Sequence, residues 1–169
     1  LGAVGVNDFK TVTKTISINN GIDAVVNTFR QSLIKLNQCK VYGLLIHDMN
    51  DLQHSQFDDL FKQLNELKHQ GLIDKIGFSI YTPGQVNFLL DNFDFDLIQV
   101  PFNVFDRRLI EGGQLKALKS IGVEVYARSV FLQGLLLNAE KARSYKFKRW
   151  NTLWRIWFEW LNDNQITAL

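Results

Sequence analysis

His47, Ser79 and Ser129 each close an apolar, strand-like run: VYGLLIHD at 41–48, KIGFSIY at 75–81 and GVEVYARS at 122–129. Buried strands that finish in a polar group at a roughly 30-residue repeat are how a (β/α)8 barrel offers chemistry at one rim. At such a rim the His47 imidazole can donate to a substrate oxygen or exchange a proton near neutral pH. Ser79, Gln99, Asn103 and Ser129 are small polar groups at or just past strand ends, suited to orienting an amide, ribose or phosphate by directed hydrogen bonds. Lys14 closes a further run, and a strand-end lysine pointing into a barrel mouth loses solvation and pairs with a carboxylate. Each residue also has a plain structural reading, in which the lysine snorkels to water, the histidine caps or packs, and the amides and hydroxyls satisfy loops. Their shared placement at one end of successive strands is the functional signal.

The elements that must position them alternate. Strand-like runs lie near 10–16, 41–47, 75–80, 96–101 and 123–129, rich in Val, Ile, Leu and Phe and mostly continuous, as strands covered on both faces are. Between them, Ile22, Val25, Val26, Phe29, Leu33 and Leu36 mark one helical stripe. Phe57, Leu60, Phe61, Leu64, Leu67 and Lys68 mark a second, ended by Gly71. A third helix opens at Pro83 after Thr82 as N-cap. Alternating units of this kind imply parallel strands with right-handed crossovers, in a closed barrel or an open sheet. No Gly-rich turn follows the first strand, so the dinucleotide fingerprint of a doubly wound sheet is absent.

At 169 residues and 46% apolar composition the chain has a globular make-up, with no linker or low-complexity tract, and reads as a single domain over 1–169. A net charge of +2 gives no electrostatic case for nucleic acid. A local basic cluster at 141–149 reads as a solvated loop. The single cysteine, Cys39, fits a reducing compartment, no apolar run reaches membrane-span length, and cytoplasm is the expected location. Trp150, Trp154, Trp157 and Trp160 form one aromatic stripe, read as the packing face of a helix on the barrel wall rather than a membrane-surface helix. No metal site is expected.

TVTK at 11–14, LLIHD at 44–48, IGFSIYTP at 76–83, IQVPFNVFDRR at 98–108 and ARSVFLQGLLL at 127–137 resemble, in order and spacing, the aldo-keto reductase family, closest to a bacterial branch with SVYTP and RSVFLQG motifs. The resemblance runs from about Phe9 to Leu169. It implies a (β/α)8 TIM barrel of which about the third to seventh βα units are present, and hydride transfer between NADP(H) and an aldehyde, ketone or alcohol, with NAD(H) left open. Both ends of the chain accordingly read as cut, since a complete barrel takes about 250 residues. By motif, Lys14 resembles the lysine that depresses the acidity constant of a catalytic tyrosine, and His47 the histidine that orients the carbonyl. Ser79 and Gln99 resemble the groups that hold the nicotinamide carboxamide, and Ser129 a contact to the phosphate-bearing half of the cofactor. The family's Asp and Tyr belong upstream of Lys14 and have no counterpart here. Ile80 and Arg128 stand where many members carry an asparagine and a ring-stacking tyrosine. The implied partner is a small-molecule carbonyl or alcohol, without nucleic acid, membrane or a stated oligomeric state. The rival expectation is an inactive barrel that binds nucleotide or a protein partner.

Overall fold

The five apolar runs form β1 (Val12–Lys14), β2 (Val41–Ile46), β3 (Ile73–Ser79), β4 (Leu97–Pro101) and β5 (Glu124–Arg128). All pair in parallel, and their order across the sheet is their order in the chain. An open doubly wound sheet reverses its order at a switch point, whereas this sheet winds in one sense, as a barrel wall does. The computed structural model describes residues 9–138 and 144–168; the segment LGAVGVND at 1–8, Lys141 and Arg143 of the basic cluster and the terminal Leu169 lie outside the described residues. Two compact units divide the chain, Leu1–Pro101 with Arg107–Arg128, and Phe102–Asp106 with Ser129–Leu169.

The first unit holds the whole sheet together with α1 (Ile22–Leu36), α2 (Phe57–His69), α3 (Pro83–Asn92), α4 (Arg108–Glu111) and α5 (Gln114–Ser120). Local chemistry sets the helix ends. Thr82 and Gln85 form a capping box at the start of α3, with Pro83 in its first turn. Asp58 and Asp59 open α2 while Lys68 and His69 close it, matching the helix dipole. At Gly71, with φ of 75°, the chain leaves α2 through paired bonds from Gly71 N to Lys68 O and from Leu72 N to Leu67 O. Asn37 does the same for α1 at φ of 52°, one of the few residues besides glycine that tolerate that region.

One face of the sheet packs on helices. Leu44 pairs with Ile76 and Ile46 with Phe78, so these side chains share a face. Phe78, fully buried, meets Phe61 of α2 at 6.1 Å and Phe93, which ends α3, at 5.6 Å. Burial of such a side chain contributes about 1.5–3 kcal/mol. The other face is concave. A Cβ on Gly43 of β2 would lie 3.1 Å from the Leu97 side chain of β4, two strands away. Tyr42 of β2 donates to Glu124 of β5 at 2.5 Å, although a flat sheet would hold those strands about 14 Å apart. Only a curled sheet brings these groups together.

In the second unit, 3-10 turns at Leu132–Gly134 and Tyr145–Trp150 precede α6 (Asn151–Asp163). The tryptophan stripe is graded rather than uniform. Trp154 is buried with Leu135 and Leu136, Trp157 donates its indole N–H to Leu136 O at 3.0 Å, and Trp160 stacks on Trp157 while half exposed. Trp150 precedes the helix and packs with Phe147. Among the described residues no helix is long and apolar enough to cross a membrane.

Candidate functional site

Strand register places four of the sequence-predicted residues on the concave face. Lys14 pairs with Leu45, Leu45 with Gly77 and Gly77 with Leu97, so these four share one level and one face. Two residues further along each strand, Ser79 pairs with Gln99 and Gln99 with Tyr126. His47 follows Ile46, the partner of Phe78, and therefore stands at the level of Ser79. With strands about 4.8 Å apart and about 6.6 Å per two residues, backbones of His47, Ser79 and Gln99 step along the rim at roughly 5 Å intervals, and Lys14 lies about 8 Å from His47.

Their environments differ. Lys14 is exposed, and among the described residues no carboxylate pairs with it, so it keeps the solvation that the barrel-mouth reading had it lose. Its neighbour Thr15, 6% exposed, extends the ladder from Thr15 N to Leu45 O and accepts the His47 backbone N–H on its hydroxyl at 3.3 Å. The backbone of His47 is thus tied to the end of β1 while its imidazole reaches solvent. Ser79 is 1% exposed. Gln99 presents Oε1 as a buried acceptor without a hydrogen-bond partner, and Arg128 has a buried Nε without one. A buried amide oxygen left unpaired costs about 1–3 kcal/mol, so its persistence marks a place where a donor is wanted. Ser129 comes immediately after β5, in the second unit, with φ of 58°. Its carbonyl accepts from Asn103 Nδ2 at 3.3 Å and from Leu132 N at 3.0 Å. Among the described residues no cluster of His, Cys, Asp and Glu is able to hold a metal ion.

The model of the Aldo/keto reductase family matches residues 9–168. This chain belongs to that family. An oxidoreductase of Leptosphaeria maculans, sirO, is 28% identical over 162 residues, covering 90% of this chain and 48% of its own. An aldo-keto reductase of Bacillus halodurans in its holo form superposes with a TM-score of 0.65 at 21% identity, over 79% of this chain and 47% of that one. A Bombyx mori aldo-keto reductase in complex with NADP gives a TM-score of 0.54 at 22% identity, over 76% and 43%. The fold is therefore part of an aldo/keto reductase (β/α)8 barrel, and the chain spans about half the length of these relatives.

Three features of this aldo/keto reductase chain were not legible in the sequence. Arg128 reaches from β5 past β4, donates Nη2 to Ile80 O at 3.1 Å, and lays its guanidinium over the Tyr81 ring at 4.1 Å. Asn103 is a loop clamp: its Oδ1 accepts from Phe105 N and Asp106 N, both at 2.9 Å, and its burial leaves little of it for a ligand. At the opposite end of the strands, Lys75 Nζ meets Glu124 at 2.6 Å and Tyr42 joins the same carboxylate. The Lys75 ammonium, then the Tyr42 hydroxyl, hold the Glu124 carboxyl below its ordinary range. The Glu124 hydrogen bond in turn raises Lys75. For Arg128 the usable signal was its position at the end of the 123–129 run, beside Ser129; for Tyr42 and Glu124, 82 residues apart, there was none.

Proposed function

We propose that this chain carries the lysine, the histidine and the carboxamide-facing residues of an NADP(H)-dependent oxidoreductase that reduces an aldehyde or ketone to an alcohol, as part of a single barrel domain. The observation that carries the reading is the register, which sets Lys14, His47, Ser79 and Gln99 at one end of four consecutive strands on one concave face. The unpaired Gln99 Oε1 supports a ligand with an N–H to give, as a nicotinamide carboxamide has. The residues present fit that group. Ser79 and Gln99 would hold the carboxamide, and Ser129 would contact the phosphate-bearing half. NADP is the cofactor named for the Bombyx mori relative, and NAD(H) is left open.

When bound, the nicotinamide supplies the hydride. The chain's own work is electrostatic. His47, reaching solvent at the rim, donates a hydrogen bond to the carbonyl oxygen as that oxygen gains alkoxide character. The Lys14 ammonium, one level below and one strand away, favours negative charge on the proton donor that serves the same oxygen. Cytoplasm is the proposed location. The test is the loss of reduced-nicotinamide absorbance when the intact protein that contains this chain meets NADPH and a panel of aldehydes, ketones and sugar-derived carbonyls. Carbonyl-dependent oxidation is expected. Tight NADPH binding with no carbonyl-dependent oxidation would replace this reading with that of an inactive nucleotide-binding barrel.

A further inference from the structure

Two buried polar atoms of opposite sense lack partners on the concave face of the sheet. Gln99 Oε1 is an acceptor on β4, and Arg128 Nε is a donor on β5. Their strands are neighbours, Gln99 stands opposite Tyr126, and Arg128 lies two residues further on the same face. Its Nη2 is bound to Ile80 O, just past the end of β3, so Arg128 must cross the end of β4, the strand that lies between β5 and β3. The Arg128 guanidinium carbon lies 4.1 Å from the centre of the Tyr81 ring, and Arg108 Nη2 donates to the Tyr81 carbonyl at 3.3 Å. Ring and carbonyl together occupy one edge and one face of Arg128 and leave its Nε–H to give.

We infer that Arg128 is a cofactor-binding residue: its Nε–H donates to the oxygen of the primary amide whose N–H is accepted by Gln99 Oε1, so the two side chains grip one planar carboxamide at both ends. A primary amide carries one donor and one acceptor side by side, matching this pair. A carboxylate does not match, because its second oxygen would face Gln99 Oε1 with no proton between them. The arrangement rests on the nicotinamide reading above and adds to it. Orientation of the amide fixes which face of the ring looks toward His47, so Arg128 acts on the geometry of transfer without touching the carbonyl.

The test compares dissociation constants, read from quenching of tryptophan fluorescence, for NADPH, its thionicotinamide analogue and its acetylpyridine analogue. The sulfur analogue keeps the N–H and loses the strong acceptor; the acetyl analogue keeps the oxygen and loses the N–H. For the wild-type protein each analogue should bind about 10-fold more weakly than NADPH, the usual worth of one charge-assisted or buried hydrogen bond. Arg128→Met should weaken NADPH by about the same factor while leaving the thionicotinamide analogue unaffected, and Gln99→Leu should do the mirror image with the acetyl analogue. Equal weakening of all three ligands by Arg128→Met, or none, would overturn the clamp and leave Arg128 as a support for Tyr81. Failure of the wild-type protein to bind any of the three would instead remove the cofactor reading itself, and the clamp with it. The analogue series on the unmutated protein needs no variant to fold.

Discussion

Replacing Gly77 with alanine is the perturbation whose cost the structure sets most sharply. A Cβ there would lie 1.7 Å from the Leu97 carbonyl oxygen and 2.6 Å from its carbon. Backbone cannot rotate out of the way as a side chain can. To reach even 3.0 Å, the limit that real Cβ contacts respect, β4 must retreat from β3 by about 1.3 Å. The nearby bond from Ile80 N to Gln99 O, at 2.9 Å, would then pass beyond hydrogen-bonding length. Overpacking costs about 1–3 kcal/mol and the lost ladder bond about 0.5–1.5 kcal/mol, so Gly77→Ala should destabilise by about 1.5–4.5 kcal/mol. Gly84→Ala is the matched control. It sits in the first turn of α3 with nothing within 4 Å of its Cβ, and should be neutral or stabilising by up to about 1 kcal/mol. Urea unfolding with the slope compared between variants reads both values. A Gly77→Ala protein within about 1 kcal/mol of wild type would refute the close approach of β3 and β4 on which the site's register depends.

Other perturbations probe the remaining joints. Glu124→Gln should cost about 1 kcal/mol near neutral pH, because a partly exposed charge pair and one phenol contact are weakened. The Glu124 carboxyl is held below its ordinary range, so its contribution is present above an unfolded value of about 4.3 and fades as pH falls through the lower folded value. Lys75 is raised, so its share is present below about 10.4 and fades as pH rises through the higher folded value. The gap between wild type and Glu124→Gln in thermal melts should therefore close under acid conditions, and a gap independent of pH would contradict the pairing. Asn103→Ala strips the acceptor from two backbone amides and should cost about 2–3 kcal/mol. Hydrogen exchange at Phe105 and Asp106 should then accelerate, whereas Asn103→Asp, which keeps the acceptor, should protect them better. Trp157→Phe removes the bond to Leu136 O and should cost about 1 kcal/mol, measured by urea unfolding.

Much of the architecture was readable because it depends on short-range patterns. β2 and β3 are continuous apolar runs, Thr82 stands before Pro83 as the N-cap of α3, and Gly71 stands where α2 leaves through the left-handed region. β1 is shorter than the 10–16 run suggested, since its pairing is confined to Val12–Lys14 with Thr15 adding one further bond. The site was readable only as positions. The sequence placed Lys14, His47, Ser79 and Gln99 at the same end of successive strands, but their common face and their surroundings arise from pairing between strands far apart in the chain. Arg128 illustrates the difference. As a departure from the family pattern it looked like a lost ring contact, whereas its reach to Ile80 O and its cover by Tyr81, 48 residues or nearly so away in sequence, give it a fixed place.

The central claim is that Lys14 and His47 serve a carbonyl at the rim where Ser79 and Gln99 hold the cofactor. Turnover of NADPH with a reactive aldehyde by the intact protein that contains this chain, measured beside cofactor affinity in His47→Ala and Lys14→Met, tests it most directly. The account predicts a fall in kcat of about 100-fold or more in each variant, the usual worth of a positioned acid–base partner, with the NADPH dissociation constant little changed. Unchanged turnover in both variants would contradict it.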